Sequence, residues 1–351
     1  MTSIQRVRHW AISVFLVILV AGLVSCTPDH PQSTFDAVGD VAKRQLNLFM
    51  WIFWAAVIVF VVVEGALIYT VVRYRRRPGD GIPKQTHGNT KIEIAWTLAP
   101  AIVLAIVAVP TVTTLIDLSG APPDNALHVR AIGHQWWFEF EYPEQGVTTA
   151  NELHVPVGRP VSVTLESKDV IHSFWIPKVV GKVDMVPNHV NRLPTFVIPE
   201  DKPGMYLGQC AELCGTAHAL MKFRVIAETN EEFDNWVRLQ NEPGRAPSTE
   251  LQQKGYDLFV GKGSCLACHT VEGTIAQSKT GPSLTHFGSR TSLGAGLVEN
   301  TPDNLALWLD NPDNLKPGTI MASNAIIYRD PSQGLTDSEI ESLVAYLKGL
   351  K

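Results

Sequence analysis

Residues 208–221 read GQCAELCGTAHALM, and Cys210, Glu212, Cys214, His218 and Met221 fall within twelve positions. An upstream histidine, His172 in DVIHSFWIP, belongs to the same problem. Three readings compete. A disulfide between Cys210 and Cys214 suits an oxidising compartment. It leaves His172, His218 and Met221 without a role. Structural zinc takes two cysteines and two histidines. It has no use for a thioether, and the cysteine gap of three residues is one longer than the common two. Thiolates, imidazoles and a thioether together form the soft donor set that selects copper. Two thiolates can each bridge two metals, His172 and His218 can cap the ends, and Met221 and a backbone carbonyl can act as weak axial ligands. So rigid a pair changes geometry little on gaining an electron, which suits electron transfer.

The surrounding sequence, residues 126–227, reads as β. ALHVRAIGHQWWFEFEY, ELHVPV, PVSVTLES and FRVIAE alternate apolar and polar residues or are rich in β-branched and aromatic types. Glycine and proline punctuate the gaps. The expectation is a small antiparallel sandwich or barrel of about 100 residues.

Upstream the chain turns apolar. Charged residues are 18% of its 351 residues, a low share that points to membrane segments. The net charge of −5 argues against a nucleic-acid partner. Spans are predicted at about 46–72 and 96–116, both long enough to cross a bilayer. The intervening loop, residues 73–93, holds six Lys/Arg against Asp80 and Glu93. The positive-inside rule puts that loop in the cytoplasm and everything after residue 118 outside. Glu64, deep in the first span, is expected to face a partner or a water-filled path. Pro100 and Pro110 imply kinks or packing adjustments in the second. Residues 1–25 carry Arg6 and Arg8 before the apolar run WAISVFLVILVAGLVS and read as a secretory signal peptide. LVSC, residues 23–26, resembles the lipobox of bacterial lipoproteins, with Cys26 as the lipidated residue.

Downstream, NEPGRAPSTE (241–250) reads as a linker. The rest, 251–351, reads as an all-α domain. TELQQKGYDLFVGKGSCLACHT and LTDSEIESLVAYLKGLK look helical, and the latter opens on a capping box of Thr336 and Glu339. Cys265-Leu266-Ala267-Cys268-His269 is the c-type haem attachment signature. Its thiols add to the haem vinyl groups and His269 ligates the iron. Met321 is the only methionine after this motif and follows a Pro-Gly turn, which makes it the sixth-ligand candidate. His286 is read as a surface residue, or as the ligand in place of Met321. A methionine ligand raises the haem potential. From residue 249 onward eight Lys/Arg stand against eleven Asp/Glu, a mild negative balance suited to a basic external donor.

The pattern C-x-E-x-C-x3-H-x2-M, with upstream HSFW and GHQWW, resembles the dinuclear copper (CuA) domain of the cytochrome c oxidase subunit II family. The resemblance covers roughly residues 40–240, and KIEIAWTLAP before the second span belongs to it. With the readings above it gives a multidomain chain: lipoprotein-type signal peptide 1–25, transmembrane α-hairpin 26–120 and cupredoxin-like β-sandwich or barrel 121–240, then linker 241–250 and class I cytochrome c domain 251–351. It implies that Cys210 and Cys214 bridge two coppers. His172 and Met221 complete one copper, and His218 and the Glu212 carbonyl the other. The Glu212 carboxylate is implied to reach a magnesium ion at the interface with subunit I. The resemblance further implies that Trp136 is the aromatic residue through which electrons arrive and that Glu93 marks the mouth of a proton path into subunit I. His189 stands where many members carry arginine, a departure that removes a fixed charge.

The fused haem domain resembles that of the caa-type bacterial oxidases. The implied function is subunit II of an aerobic cytochrome c oxidase in the bacterial cytoplasmic membrane, with both redox domains on the outer face. Electrons would pass from an external cytochrome c or cupredoxin to haem c, to the copper pair, and on to subunit I. Dioxygen reduction and proton pumping belong to subunit I, and subunit III is a further expected partner. The rivals are the electron-accepting subunit of a copper-containing nitric oxide reductase and a membrane-tethered electron shuttle. A quinol-oxidase subunit is disfavoured by Cys210 and Cys214.

Overall fold

The computed structural model describes residues 10, 13–18, 22, 30–79, 81, 82, 85 and 87–351. Cys26 and most of the signal-peptide reading lie outside the described residues.

Helix α1 (Asp40–Arg73) and helix α2 (Thr90–Leu118) are long and apolar enough to cross a membrane, and their most apolar stretches are wholly unburied. At 1.5 Å per residue they run ~51 and ~44 Å. Asn89 caps α2 by accepting from the Lys91 and Ile92 amides at 3.1 and 3.4 Å. The helix runs through Pro100 and Pro110 without a break in assignment. α1 begins six residues before its apolar run, because its foot is seated in the β domain. Val41 is fully buried there, and the Val38 and Gly39 amides donate to the Lys178 carbonyl at 2.7 and 3.0 Å. A β-carbon on Gly39 would collide with the Val179 backbone. This seat fixes the β domain against the end of the membrane hairpin.

The β domain is a sandwich of two five-stranded sheets. One has the order β3-β2-β1-β5-β8, from strands Val147–Ala150, Trp137–Tyr142, Leu127–His134, Val161–Ser167 and Asn191–Arg192. The other has the order β4-β10-β9-β6-β7, from Glu152–Pro156, Lys222–Glu228, Gly204–Cys210, His172–Ile176 and Val180–Met185. The sheets are mixed rather than antiparallel throughout, since β1 pairs with β5, and β4 with β10, in parallel. Connections that cross between the sheets bring these strands together pointing the same way, a result that alternation of residue types does not encode. Alternate residues of β2 and β10 are buried. They meet in an aromatic core where the Phe174 and Phe223 ring centroids stack 4.4 Å apart. Gly208 leaves the space that the Phe223 ring fills.

Helix α3 (Asn230–Gln240) closes one end of the sandwich. It starts on a reciprocal capping box between Thr229 and Glu232. It buries Phe233 in the core and stacks Trp236 on His154 at 4.2 Å. Sequence reading passed over it, although T-x-x-E followed by Phe and Trp at helical spacing was the available signal.

The C-terminal domain is helical. Helix α4 (Glu250–Val260) crosses helix α6 (Asp337–Gly349), with helix α5 (Pro302–Asp310) beside them. Phe259, Leu305, Leu309, Leu343, Tyr346 and Leu347 form its separate core. Gly255 permits the crossing, for a β-carbon there would strike the Ser342 backbone. The expected Thr336–Glu339 capping box opens α6, and Lys262 pairs with Glu339 at 2.7 Å. A short hairpin (Ser292–Leu293 with Val298–Glu299) faces the β domain.

Candidate metal centre and haem site

The end of β9 and the start of β6 lie side by side, with Phe174 paired to Cys210. The chain then loops through Cys214 and a single 3-10 turn at His218–Leu220, and returns into β10. The Cys210 amide donates to the Met221 carbonyl at 2.9 Å, closing that loop on itself. The Cys210 and Cys214 sulfurs are consequently 3.8 Å apart and unbonded. Nδ1 of His172 lies 3.9 Å from the Cys210 sulfur, and Nδ1 of His218 3.6 Å from the Cys214 sulfur. The Met221 sulfur lies 3.9 Å from Cys214, and the Glu212 carbonyl oxygen 3.2 Å from Cys210. His172 and Met221 are fully buried.

These distances test the three readings. A disulfide needs sulfurs ~2.05 Å apart. Two sulfurs on one metal, with bonds of ~2.3 Å at a tetrahedral angle, sit ~3.8 Å apart, as found here. A buried thioether aimed into the cluster fits copper rather than zinc. The donor set therefore fits a copper site held by thiolates and imidazoles.

The site is pre-set by its surroundings. The His172 Nε2–H donates to Asp169 Oδ1 at 2.7 Å, which leaves Nδ1 to face the sulfur. Asp169 also accepts from the Gln135 and Val170 amides at 2.6 and 2.7 Å. Burial works against the Asp169 carboxylate, yet the hydrogen bonds from His172 and from these amides hold its pKa below the ordinary value. Burial likewise works against the His172 imidazolium, but Asp169 and Cys210 outweigh it and raise its pKa. The neighbouring Cys214 thiol, by hydrogen bonding, pulls the Cys210 pKa down, while Cys210 in turn pushes that of Cys214 up. Gly133 makes room for the imidazole, since a β-carbon there would sit 2.7 Å from the His172 Cδ2. Asp169 was missed in the sequence; its place three residues before His172 was the only signal.

Trp136 stands on the turn between β1 and β2. Its indole N–H donates to the Cys214 carbonyl at 3.1 Å, and the Gln135 side chain donates to the same oxygen at 2.7 Å. The Glu212 side chain points outward beside Leu213, which is 77% exposed. Glu93 lies in the first turn of α2, exposed, ~38 Å along the helix from the β-domain end. His189 is exposed on the β7–β8 connection.

In the C-terminal domain Cys265 and Cys268 bracket a 3-10 turn and are unbonded. The His269 amide donates to the Cys265 carbonyl at 3.0 Å, so both thiols and the imidazole lie on one tight turn. The His269 Nδ1–H donates to the Pro282 carbonyl at 2.8 Å, leaving Nε2 with a free lone pair. Burial lowers the pKa of this imidazole and so keeps it neutral. A β-carbon on Gly281 would meet the His269 Cε1 at 2.8 Å, so the ring is cradled by backbone. Arg290, held by the Ser283 carbonyl at 2.6 Å, leaves its Nε buried without a partner, a donor ready for an anionic group. These features fit a covalently bound haem. Met321 sits half-buried in the short helix Ile320–Asn324. His286 corrects the surface reading. It is 6% exposed, and its Nε2–H donates to the Gln240 carbonyl at 3.2 Å at the end of α3.

Comparison with known proteins agrees with this division. Residues 31–114 match the family described as cytochrome c oxidase subunit II, transmembrane domain. Residues 145–228 match cytochrome c oxidase subunit II, periplasmic domain, and residues 252–351 match cytochrome c. Cytochrome c oxidase subunit 2 of Alkalihalophilus pseudofirmus is 36% identical over 342 residues, spanning 96% of each chain. Its counterpart in Bacillus subtilis is 37% identical over 361 residues, spanning 98% of this chain and 99% of that one. The crystal structure of the periplasmic domain of subunit II of cytochrome oxidase of Bradyrhizobium japonicum is 31% identical, covers 34% of this chain and 96% of its own, and superposes with a TM-score of 0.32. With its two apolar helices, its cupredoxin-like domain carrying a soft-donor metal site and its C-terminal cytochrome c domain, the chain belongs to the cytochrome c oxidase subunit II family.

Proposed function

We propose that this chain carries electrons from an external donor through its own haem c to a dinuclear copper centre and on to subunit I, where dioxygen is reduced to water with proton pumping. The observation that carries the reading is the convergence of two imidazoles, a thioether and the Glu212 carbonyl on two buried cysteine sulfurs, each within 4 Å of one of them. When bound, copper and haem supply one-electron carriers that need no bond to be made or broken. The protein's part is to hold them rigidly. Cys210, Cys214, His172, His218, Met221 and the Glu212 carbonyl would hold the copper pair. Cys265 and Cys268 would anchor the haem, with His269 and Met321 on its iron. Trp136, hydrogen-bonded to the Cys214 carbonyl, would stand where electrons arrive.

The basic loop after α1 favours a hairpin with both redox domains on the outer face. Glu93, at the far end of α2, then lies on the cytoplasmic side, where a proton path into subunit I would begin. The outward Glu212 carboxylate beside exposed Leu213 suits contact with subunit I and a shared magnesium ion. Subunit III and an external cytochrome c or cupredoxin are the remaining partners of this reading. Metal analysis of this chain's redox domains, residues 120–351 produced with haem maturation and without subunit I, tests it: two coppers and one haem c per chain are expected, with a mixed-valence near-infrared band. Cys210→Ser should abolish that band and leave the haem spectrum. One zinc and no copper would refute the reading.

A further inference from the structure

Two charged side chains are almost wholly buried where the C-terminal domain meets the β domain: Glu152 is 3% exposed and Lys316 4%. A buried charge is tolerated only when its hydrogen-bonding capacity is met. Glu152 Oε1, on β4, accepts from the Thr291 amide and hydroxyl at 2.8 and 2.6 Å and from the Ser292 amide and hydroxyl at 2.9 and 3.0 Å. Lys316 Nζ donates to the Trp136 carbonyl at 2.6 Å and to the Gly294 carbonyl at 3.1 Å. One side-chain nitrogen thus ties the β1–β2 turn to the hairpin at residues 292–299.

The loop that carries Lys316 is stiff and local to both redox motifs. Asp313 Oδ1 accepts from the Gly318 and Thr319 amides at 3.1 and 3.0 Å. Gly318, at φ +83°, lies so close to Thr216 that a β-carbon would sit 3.1 Å from it. Thr216 lies between Cys214 and His218, and Met221 closes the same segment. Met321 follows Lys316 by five residues, a reach of at most ~17 Å of chain. The loop proposed to ligate haem is therefore pressed against the loop proposed to ligate copper, and Trp136 touches both, at the Cys214 carbonyl and at Lys316.

We propose that Lys316 is a positioning residue that locks the C-terminal domain onto the Trp136 face of the copper domain, so that an external donor meets the C-terminal domain and not Trp136. The inference rests on the copper and haem reading above. The step served is the passage of one electron from reduced haem, which is oxidised, to oxidised copper, which is reduced, with no proton or bond exchanged. Lys316 touches neither group; it sets their separation.

The test uses the metal-loaded full chain in its membrane complex, comparing wild type with Lys316→Met. Hydrogen exchange should rise at least fivefold at residues 134–137, 214–218 and 291–296. After a photoreductant delivers an electron to the haem, equilibration with copper should slow at least tenfold and become dependent on solvent viscosity. The rate of haem photoreduction should not change. Equilibration as fast as wild type would overturn the positioning role, whatever exchange shows. If Lys316→Met does not assemble, Thr291→Val with Ser292→Ala loosens the same interface from the Glu152 side and should slow equilibration in the same way. Wild type that binds no copper or no haem would overturn the functional reading itself, so the two failures are distinct.

Discussion

Asp169 holds His172 from behind: its Oδ1 accepts the His172 Nε2–H at 2.7 Å, while the opposite ring nitrogen faces the Cys210 sulfur 3.9 Å away. A carboxylate so placed fixes the tautomer and raises the basicity of a metal-binding imidazole. Asp169→Asn keeps the size and removes the charge. Copper affinity should fall ~10–100-fold, read by competitive chelator titration, with the haem spectrum unchanged. Wild-type affinity in the variant would show that Asp169 serves only the turn.

Met321 can be separated from His286 as the sixth haem ligand. Met321→His should lower the haem potential and remove the methionine–iron absorption band, because a methionine ligand raises the potential. His286→Gln should leave both untouched, since His286 is engaged with the Gln240 carbonyl. A potential that follows His286 instead would reverse the assignment.

The buried state of His286 also sets a pH dependence. Burial lowers its folded-state pKa below the ordinary 6.5, although carbonyl contacts oppose this. Between the lowered folded value and 6.5 the unfolded chain takes up a proton that the folded chain refuses. Stability should therefore be fully present above pH ~6.5 and fall as the pH drops toward the folded pKa. Denaturant midpoints of the C-terminal domain from pH 8 to 5 measure this, and His286→Gln should flatten the slope. An equal slope in the variant would place the titration elsewhere.

Gly255 is the contact point of α4 and α6, where even a methyl group meets the Ser342 backbone. Backbone cannot yield as a side-chain tip can. Gly255→Ala should cost ~1–3 kcal/mol through overpacking, seen as a lower haem-domain melting temperature with the copper band intact. An unchanged melting temperature would mean that the helices separate freely.

Much of the molecule was legible because its signals are local. The two spans are runs of apolar residues, and the capping box of α6 is a four-residue pattern. Cys265, Cys268 and His269 lie on one turn because three-residue spacing returns the chain to the same side. Cys210, Cys214, His218 and Met221 come together for the same reason. Their spacing fits one loop between two strands, and the donor chemistry of the side chains chose among the candidate metals.

The remainder depended on how distant surfaces met. The parallel pairing of β1 with β5 and of β4 with β10 follows from which strand ends the crossover connections bring together, and residue alternation is blind to strand direction. Glu152 meets Thr291 across 139 positions of sequence, and Lys316 meets Trp136 across 180. Both charged residues look like ordinary surface groups in the sequence. They become buried because the two domains meet there, and that contact is set by shape and hydrogen-bond complementarity between surfaces distant in sequence. The sequence determined which sulfur and imidazole donors the chain carries and how closely they are spaced. The tertiary structure alone pressed the Gly318 loop against Thr216 and set Lys316 on the Trp136 carbonyl.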